Sequence, residues 1–462
     1  MAQKRAQTGA YMLLDMIAAR GDTQTISDTR AQMGYGELAA LAARLQSALP
    51  KDQHSCLGLV PENTLEGVSL LLAALDAGLP TALIAPGQNL HQRLPPFCNH
   101  LVTSTGAAQP PEIKRLEQAG NTADPERFYV ATSGSTGAPK WLVHDTARLI
   151  RNAQSAGKRL GHTPQRRILI PVPIHHMFGL GAALIPALLT GASIHLVQRG
   201  NPLEVFGAER DFDPNFAYFV PSQVRSILAM RRRPRPYAGL CIAGDKLSPE
   251  EAARCENLHG PVLSLYGSSE TGVTAANDPS DTADIRHQSA GRLLPGVRLG
   301  DDPQDPEQPF PLRLRHPDMC LGIAGSDGAV ANKQPDVHET GDIALLLPGG
   351  QLRIIGRRDH ALKRDGLLVH LSDIEASIAQ CAGVADTVVV VSGQSRRGDG
   401  LVAFYTPKPR AALICEDLRR HCIDTLPSRA VPDRFIQLDA LPRLASGKPD
   451  RPALVELARR ES

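Results

Sequence analysis

Residues 127–140 read RFYVATSGSTGAPK. A β-rich run ending at Thr132 leads into hydroxyls, glycines and a lysine, the composition of a loop that turns its backbone N–H groups inward. Outward from this stretch, short β-rich runs alternate with helical segments: CLGLV at 56, TALIA at 81, RILIPVP at 167, SIHLVQ at 193, FAYFVP at 216, LCIAGD at 240 and VLSLYGSSE at 262. That alternation predicts an α/β fold of parallel-rich sheets covered by helices. Between about 291 and 355 the helical pattern fades, and Gly, Pro and Asp punctuate short strands. A small β subdomain is expected there. Beyond Gly356 come a charged segment, a helix opening at Ser372–Glu375, TVVVV at 387, LVAFY at 401 and a helix near 415–426. This last part reads as an α+β domain of its own, so the expected division is 1–357 and 358–462.

Composition narrows the function. The 462 residues hold 50 Lys plus Arg against 48 Asp plus Glu, a formal charge of +2. No excess field favours a polyanion, so nucleic acid is not an expected partner. The 8 Cys form no CxxC pair, which spells out neither a zinc site nor a redox dithiol and fits reduced thiols in a cytoplasmic protein. No uncharged apolar run reaches the roughly 18–20 residues of a membrane span. The stretch Tyr11–Ala19 is interrupted by Asp15 and is expected to be an amphipathic first helix.

The chemistry-bearing residues fall in several short segments. In Ser133, Gly134, Ser135, Thr136, Gly137 and Lys140, glycine turns, hydroxyl donors and one cation suit phosphate oxygens. The Walker pattern GxxxxGK[ST] is absent, because Lys140 follows Pro139. A helical stretch is expected directly after this loop. Further on stand Ala243–Gly244–Asp245–Lys246, Tyr266–Gly267–Ser268–Ser269–Glu270, Thr340–Gly341–Asp342, the segment GRRDHALKRDG at 356–366, and LASGKPDR at 444–451. Ser248 followed by Pro249 reads as a helix start, and Ser372 with Glu375 as a capping box.

Together these segments resemble the motifs of the adenylate-forming superfamily, which includes acyl-CoA synthetases, adenylation domains of nonribosomal peptide synthetases and luciferases. The resemblance covers residues 130–451. It implies a large N-terminal adenylation domain and a mobile C-terminal lid, with ATP and Mg²⁺ used to activate a carboxylic acid as its acyl-adenylate. A thioester to CoA, or to the phosphopantetheine of a carrier protein, would follow. By the same resemblance Ser133, Gly134, Ser135, Thr136, Gly137 and Lys140 hold phosphates. Gly244, Asp245, Tyr266 and Gly267 surround adenine, Ser269 reaches the α-phosphate, and Asp342 and Arg357 hold ribose. Glu270 with Thr136 holds the metal, and Lys448 is the catalytic lysine. Arg358 and Asp359 form the hinge, while Lys363 and Gly366 face the thiol acceptor. The acyl pocket is assigned to His176, Met177, Phe178, Pro221 and Gly267, with His176 also a catalytic candidate.

Several departures stand out. Ser269 replaces the usual Thr, Leu362 the usual Ile, and Trp141 follows Lys140 where many relatives have Gly. Amino-acid-activating relatives place an aspartate near the acyl pocket to pair the substrate's ammonium, yet no acidic residue occurs from Arg167 to Gln198. An uncharged acyl or aryl acid is therefore expected. A stand-alone amino-acid-activating enzyme and a catalytically decayed scaffold are the alternatives. Arg231, Arg232, Arg233 and Arg235 form either a receiver for the acceptor's phosphates or a solvated face.

Overall fold

The computed structural model describes residues 13–50, 52, 54–106, 109–117, 124–132, 140–245, 247–303, 305, 308–358, 361–364, 367–395, 398–408, 415–444 and 448–460. It divides into two compact units. The first comprises 1–301, 314–338 and 347–352, and the second 302–313, 339–346 and 353–462.

Two sheets organise the first unit. In an eight-stranded sheet, Arg127–Thr132, Thr81–Leu83, Leu57–Leu59 and His100–Thr103 run parallel. Their residues are buried almost throughout, as expected of strands covered on both faces. The strand after the phosphate-loop segment differs from the expectation. Lys140–Asp145 pairs antiparallel with Arg127–Thr132, and the helix begins only at Thr146, where Asp145 caps it through the Arg148 N–H. The cause lies in the sequence Trp141–Leu142–Val143, which is buried in the sheet. Trp141 packs edge-on against Phe97 with centroids 6.4 Å apart, so it is a core residue of the strand.

The second sheet contains the parallel series Val262–Ser268, Gly239–Ile242, Phe216–Phe219, Arg167–Ile170, Ser193–Leu196 and Thr25–Ser27. Helices Pro202–Asp211, Pro221–Met230 and Pro249–His259 supply Val205, Val224, Ile227 and Cys255 to a core shared with Phe219, Leu240 and Val262. The last helix starts as the sequence indicates: Ser248 accepts from the Glu251 N–H, the Glu251 side chain returns to Ser248, and Pro249 follows the cap. Leu13, Leu14 and Ile17 of the first described helix, Leu13–Ala18, are buried. Two of the short strands after residue 291 join strands that precede them. Gly322–Ala324 pairs with Lys140–Asp145, and Arg292–Leu293 with Gly272–Ala276.

The second unit is built on the hairpin of Val384–Ser395 and Gly398–Pro407, flanked by Ala361–Arg364 with Leu367–His370 and by Arg434–Gln437. Strand alternation sorts its valines between two cores. Val389 meets Ile374, Ile378 and Leu418, whereas Val388, Val390 and Phe404 meet Leu454 and Ala458. Between these layers Arg364 is fully buried, with Nη2 at 2.8 and 3.0 Å from the Asp433 carboxylate and Nη1 donating to the Val431 carbonyl. Asp433 also accepts from the Leu401 N–H at 2.7 Å. Glu375, expected in a capping box, reaches distant partners. Its carboxylate accepts from the Val389 N–H and from Arg451, both at 2.7 Å, and so ties the helix Leu371–Gln380 to the sheet.

Removing one member of a buried ion pair leaves the other charge unpaired, at a cost of about 3 kcal/mol or more. Asp433→Ala is expected to lower the unfolding free energy by that amount, seen as a lower midpoint in urea-unfolding experiments. Asp433→Asn, which keeps an acceptor for Leu401 N–H, is expected to lose less.

Candidate active site

In the first unit the strongest local construction is the turn after Val262–Ser268. The strand reverses at 268–271 and returns as Gly272–Ala276, with a register shift at Tyr266/Gly267. Two glycines make the reversal possible. A Cβ on Gly267 would lie 2.1 Å from the Gly272 carbonyl oxygen, and Gly272 itself has φ +64°. Inside the turn the Ser268 hydroxyl accepts from the Glu270 and Thr271 N–H groups, both at 3.2 Å. Outside it, three neighbours brace the backbone. His144 Nε2 donates to the Ser269 carbonyl at 2.9 Å, the Cys320 N–H donates to the Glu270 carbonyl at 2.7 Å, and the Asn152 amide holds both N–H and C=O of Val273.

His144 makes that donation as a neutral ring, because burial outweighs the favour that the bond to Ser269 gives the charged form. Burial lowers its pKa to about 4, and the ring stacks on Phe128 with centroids 5.0 Å apart and planes 19° off parallel. Ser269 and Glu270 are thereby held by their backbones alone. The half-buried Glu270 carboxylate has no hydrogen-bond or ion-pair partner among the described residues. A single carboxylate with open positions fits Mg²⁺, which usually takes one or two carboxylates and fills its remaining sites with phosphate and water oxygens. Among the described residues no group of three His, Cys, Asp or Glu forms a closed metal site.

The candidate acyl-pocket residues come near this turn. Pro173–Phe178 bends so tightly that a Cβ on Gly179 would lie 2.1 Å from the Pro173 carbonyl oxygen. Asn63 fixes the bend: its amide group donates to the carbonyls of Ile170, Val172 and Val197 while its oxygen accepts from the Ile174 N–H. His175 and His176 follow with ring centroids 4.3 Å apart. His175 is neutral, its pKa pushed down to about 3 by burial and by the adjacent His176 and Arg93. A π-helical turn then runs over Phe178–Leu184, a form often found at functional sites. Met177 is buried beside Gly272, whose added Cβ would lie 3.8 Å from its terminal methyl, and Phe178 meets Tyr218 edge-on at 5.8 Å. Gly244, at φ +94°, lies against Val220, the residue before Pro221. Asp245 is exposed, and Tyr266 is half-buried.

Lys140 is exposed and pairs with Thr132, so the two ends of the phosphate-loop segment lie side by side. Ser133, Gly134, Ser135, Thr136 and Gly137 lie outside the described residues, as do Lys246, Asp359 and Gly366.

In the second unit Asp342 and Arg357 stand together. Arg357 Nη1 is 3.8 Å from Asp342 Oδ1, and Gly341 leaves room for the guanidinium, since a Cβ there would lie 2.8 Å from Nη2. The Thr340 hydroxyl donates to the Leu312 carbonyl and accepts from the Asp342 N–H. Arg358 pairs with Glu339 at 3.5 Å. Lys363 belongs to the strand Ala361–Arg364. Lys448 is exposed; its carbonyl accepts from the Leu444 N–H at 2.8 Å, and Arg443 and Pro449 form an antiparallel bridge beside it. The arginine run divides. Arg231 Nη2 lies 2.6 Å from both carboxylate oxygens of Glu209 and Arg235 pairs with Asp213, leaving Arg232 and Arg233 as the exposed members.

His144, Asn152, Asn63 and Cys320 were not singled out in the sequence. The contacts that brace the site are long-range, 125 positions from His144 to Ser269, 121 from Asn152 to Val273 and 134 from Asn63 to Val197. A lone buried histidine or asparagine carries no local signal of such a partner.

Residues 98–309 match the family model described as AMP-binding enzyme, and residues 373–448 match the AMP-binding enzyme C-terminal domain. The chain is 24% identical to a salicylyl-CoA synthase / salicylate adenylyltransferase of a Streptomyces species, over 98% of this chain and 93% of the relative. It is 26% identical to the indoleacetate–CoA ligase of Aromatoleum aromaticum, over 93% and 94%. The o-succinylbenzoate coenzyme A synthetase of Bacillus subtilis, in complex with ATP and magnesium ion, has the same fold, with a TM-score of 0.80 at 21% identity over 96% of this chain and 99% of that one. The chain belongs to the adenylate-forming superfamily. It is an AMP-forming acid–thiol ligase: it activates a carboxylic acid as an acyl-adenylate and then forms a thioester.

Replacing His144 by Phe keeps the stack on Phe128 but removes the donor of the part-buried Ser269 carbonyl, at a cost of about 1 kcal/mol. His144→Phe is expected to lower both stability and the rate of acid-dependent pyrophosphate exchange. His144→Gln, which can still donate, is expected to recover part of each.

Proposed function

We propose that the acid is an uncharged aromatic or acyl carboxylate and that the acceptor is the thiol of CoA. The observation that carries the substrate reading is the apolar surround of the braced turn. Met177 lies against Gly272, Phe178 meets Tyr218, and no acidic residue occurs from 167 to 198 to pair an ammonium. Burying an unpaired ammonium would be costly, so this surround disfavours amino acids. The two curated relatives compared above are named for aromatic acids and CoA, which supports the same reading.

In this reading ATP is held through Ser133, Gly134, Ser135, Thr136, Gly137 and Lys140 at its phosphates, Tyr266, Gly267, Gly244 and Asp245 around adenine, and Asp342 with Arg357 at ribose. An ionised carboxylate is acceptor-only and can take both ribose hydroxyls, while the Arg357 guanidinium beside it keeps Asp342 oriented. Glu270 and Thr136 would hold Mg²⁺, which supplies charge neutralisation to the phosphates when bound. Ser269 donates to the α-phosphate. The substrate carboxylate attacks the α-phosphorus, the bond to the bridging oxygen breaks, and pyrophosphate leaves. Lys448 offsets the repulsion between the two anions and the charge that builds on the leaving group. His176 borders the acid's entry. The thiolate then attacks the acyl carbon and AMP departs, with Lys363 and Gly366 on the acceptor side and Arg358 and Asp359 as the pivot between 1–357 and 358–462. The use of ATP and CoA, together with eight free cysteines, supports a cytoplasmic reaction. No described helix is long and apolar enough to cross a membrane.

Lys448→Ala is expected to reduce adenylation by about 10²–10³-fold, the scale of losing one preorganised donor to a developing charge. Thioester formation from supplied acyl-adenylate is expected to stay near wild type. Equal loss of both steps would contradict the role given to Lys448. Side-by-side assays with CoA and a holo carrier protein decide the acceptor.

A further inference from the structure

A cavity of about 860 Å³ opens in the first unit, behind the braced turn, and among the described residues none of those assigned to ATP, acid or thiol lines it. Its floor is apolar, formed by Val143, Leu321 and Val330. Its rim is cationic. Arg298 and Arg315 stand directly opposite each other across an antiparallel strand pair. Like charges in that register repel, and sequences normally avoid the arrangement or place an acid between them. Here neither guanidinium has a hydrogen-bond or ion-pair partner among the described residues, and the same holds for Lys333 on the next wall. Arg148 adds a fourth cation, its Nη1 at 2.9 Å from the Met319 carbonyl. The acids at the rim do not balance them. Arg127 already engages Asp124 and Asp145, which leaves Asp336 against four positive groups.

We propose that this cavity is a binding site for a small molecule bearing a di- or triphosphate group, separate from the adenylation site. Arginine presents paired N–H donors that match phosphate oxygens, and two unpartnered arginines in one register form a clamp whose mutual repulsion the anion relieves. A volume of this size accommodates a nucleotide-sized ligand with its body on the apolar floor.

The test is calorimetric titration of inorganic tripolyphosphate into the full chain without Mg²⁺. Wild type is expected to bind at the cavity, and Arg298→Gln/Arg315→Gln is expected to weaken that event at least tenfold. The double variant is also expected to be no less thermally stable without ligand, since a repulsive pair has been removed. Arg232→Gln/Arg233→Gln, which removes two exposed arginines elsewhere, is expected to leave binding unchanged. Lys140→Ala/Lys448→Ala is expected to remove binding at the adenylation site while leaving the cavity's event. The proposal is overturned if Arg298→Gln/Arg315→Gln binds with unchanged stoichiometry and a Kd within twofold of wild type. It is equally overturned if Arg232→Gln/Arg233→Gln loses as much, because the attraction would then be general charge alone. A Lys140→Ala/Lys448→Ala variant that shows no binding at all would also overturn the proposal, because the only binding event would then belong to the adenylation site.

Discussion

The peptide groups of Ser269 and Glu270 are held from both sides, by a neutral histidine and by the N–H of Cys320, and the rest of the first unit can be read as the means of bringing those two donors there. His144 sits at the far end of the strand that follows the phosphate-loop segment, and Cys320 just before the strand that pairs with it. The turn is therefore braced against the second strand of a hairpin whose ends flank that segment. A carboxylate presented by a loop that must also bind polyphosphate needs such bracing. Charge stabilisation is most effective when the donors require no reorganisation at the moment of reaction.

Burial makes the brace dependable and also limits it. His144 donates from its neutral form because desolvation depresses its pKa, and the stack on Phe128 fixes the ring plane. A charged or exposed group at the same place would compete with the ligand's own phosphates. The same economy appears at Asn63, where one buried amide satisfies the carbonyls of three neighbouring segments and positions the bend that carries His175, His176 and Met177. In the second unit the corresponding fixed point is Arg364 with Asp433, which secures the strand Ala361–Arg364 within the charged segment 356–366.

Much of this was legible in the sequence, and the remainder was hidden for identifiable reasons. Apolar runs such as FAYFVP and LCIAGD fall on buried parallel strands because full burial leaves no polar face to confuse the pattern. The segment Tyr266–Glu270 was readable as a motif, whereas the reversal that Gly267 and Gly272 permit shows only in the structure. Lys140–Asp145 was misread as the approach to a helix, since a short strand begun by lysine and ended by His144 and Asp145 has little periodicity of its own. Glu375 resembled a local capping residue, yet its partner Arg451 lies 76 positions away. Local spacing reports local bonds, and the residues that hold the candidate site together are mostly distant ones.

The most direct test of the account is acid-dependent exchange of labelled pyrophosphate into ATP, measured with Mg²⁺ on wild type and on Glu270→Gln across aromatic, linear and amino acids. The account expects exchange with uncharged aromatic or acyl substrates, none with amino acids, and a loss of at least about 100-fold in Glu270→Gln. Exchange confined to amino acids, or a Glu270→Gln variant as active as wild type, would contradict it.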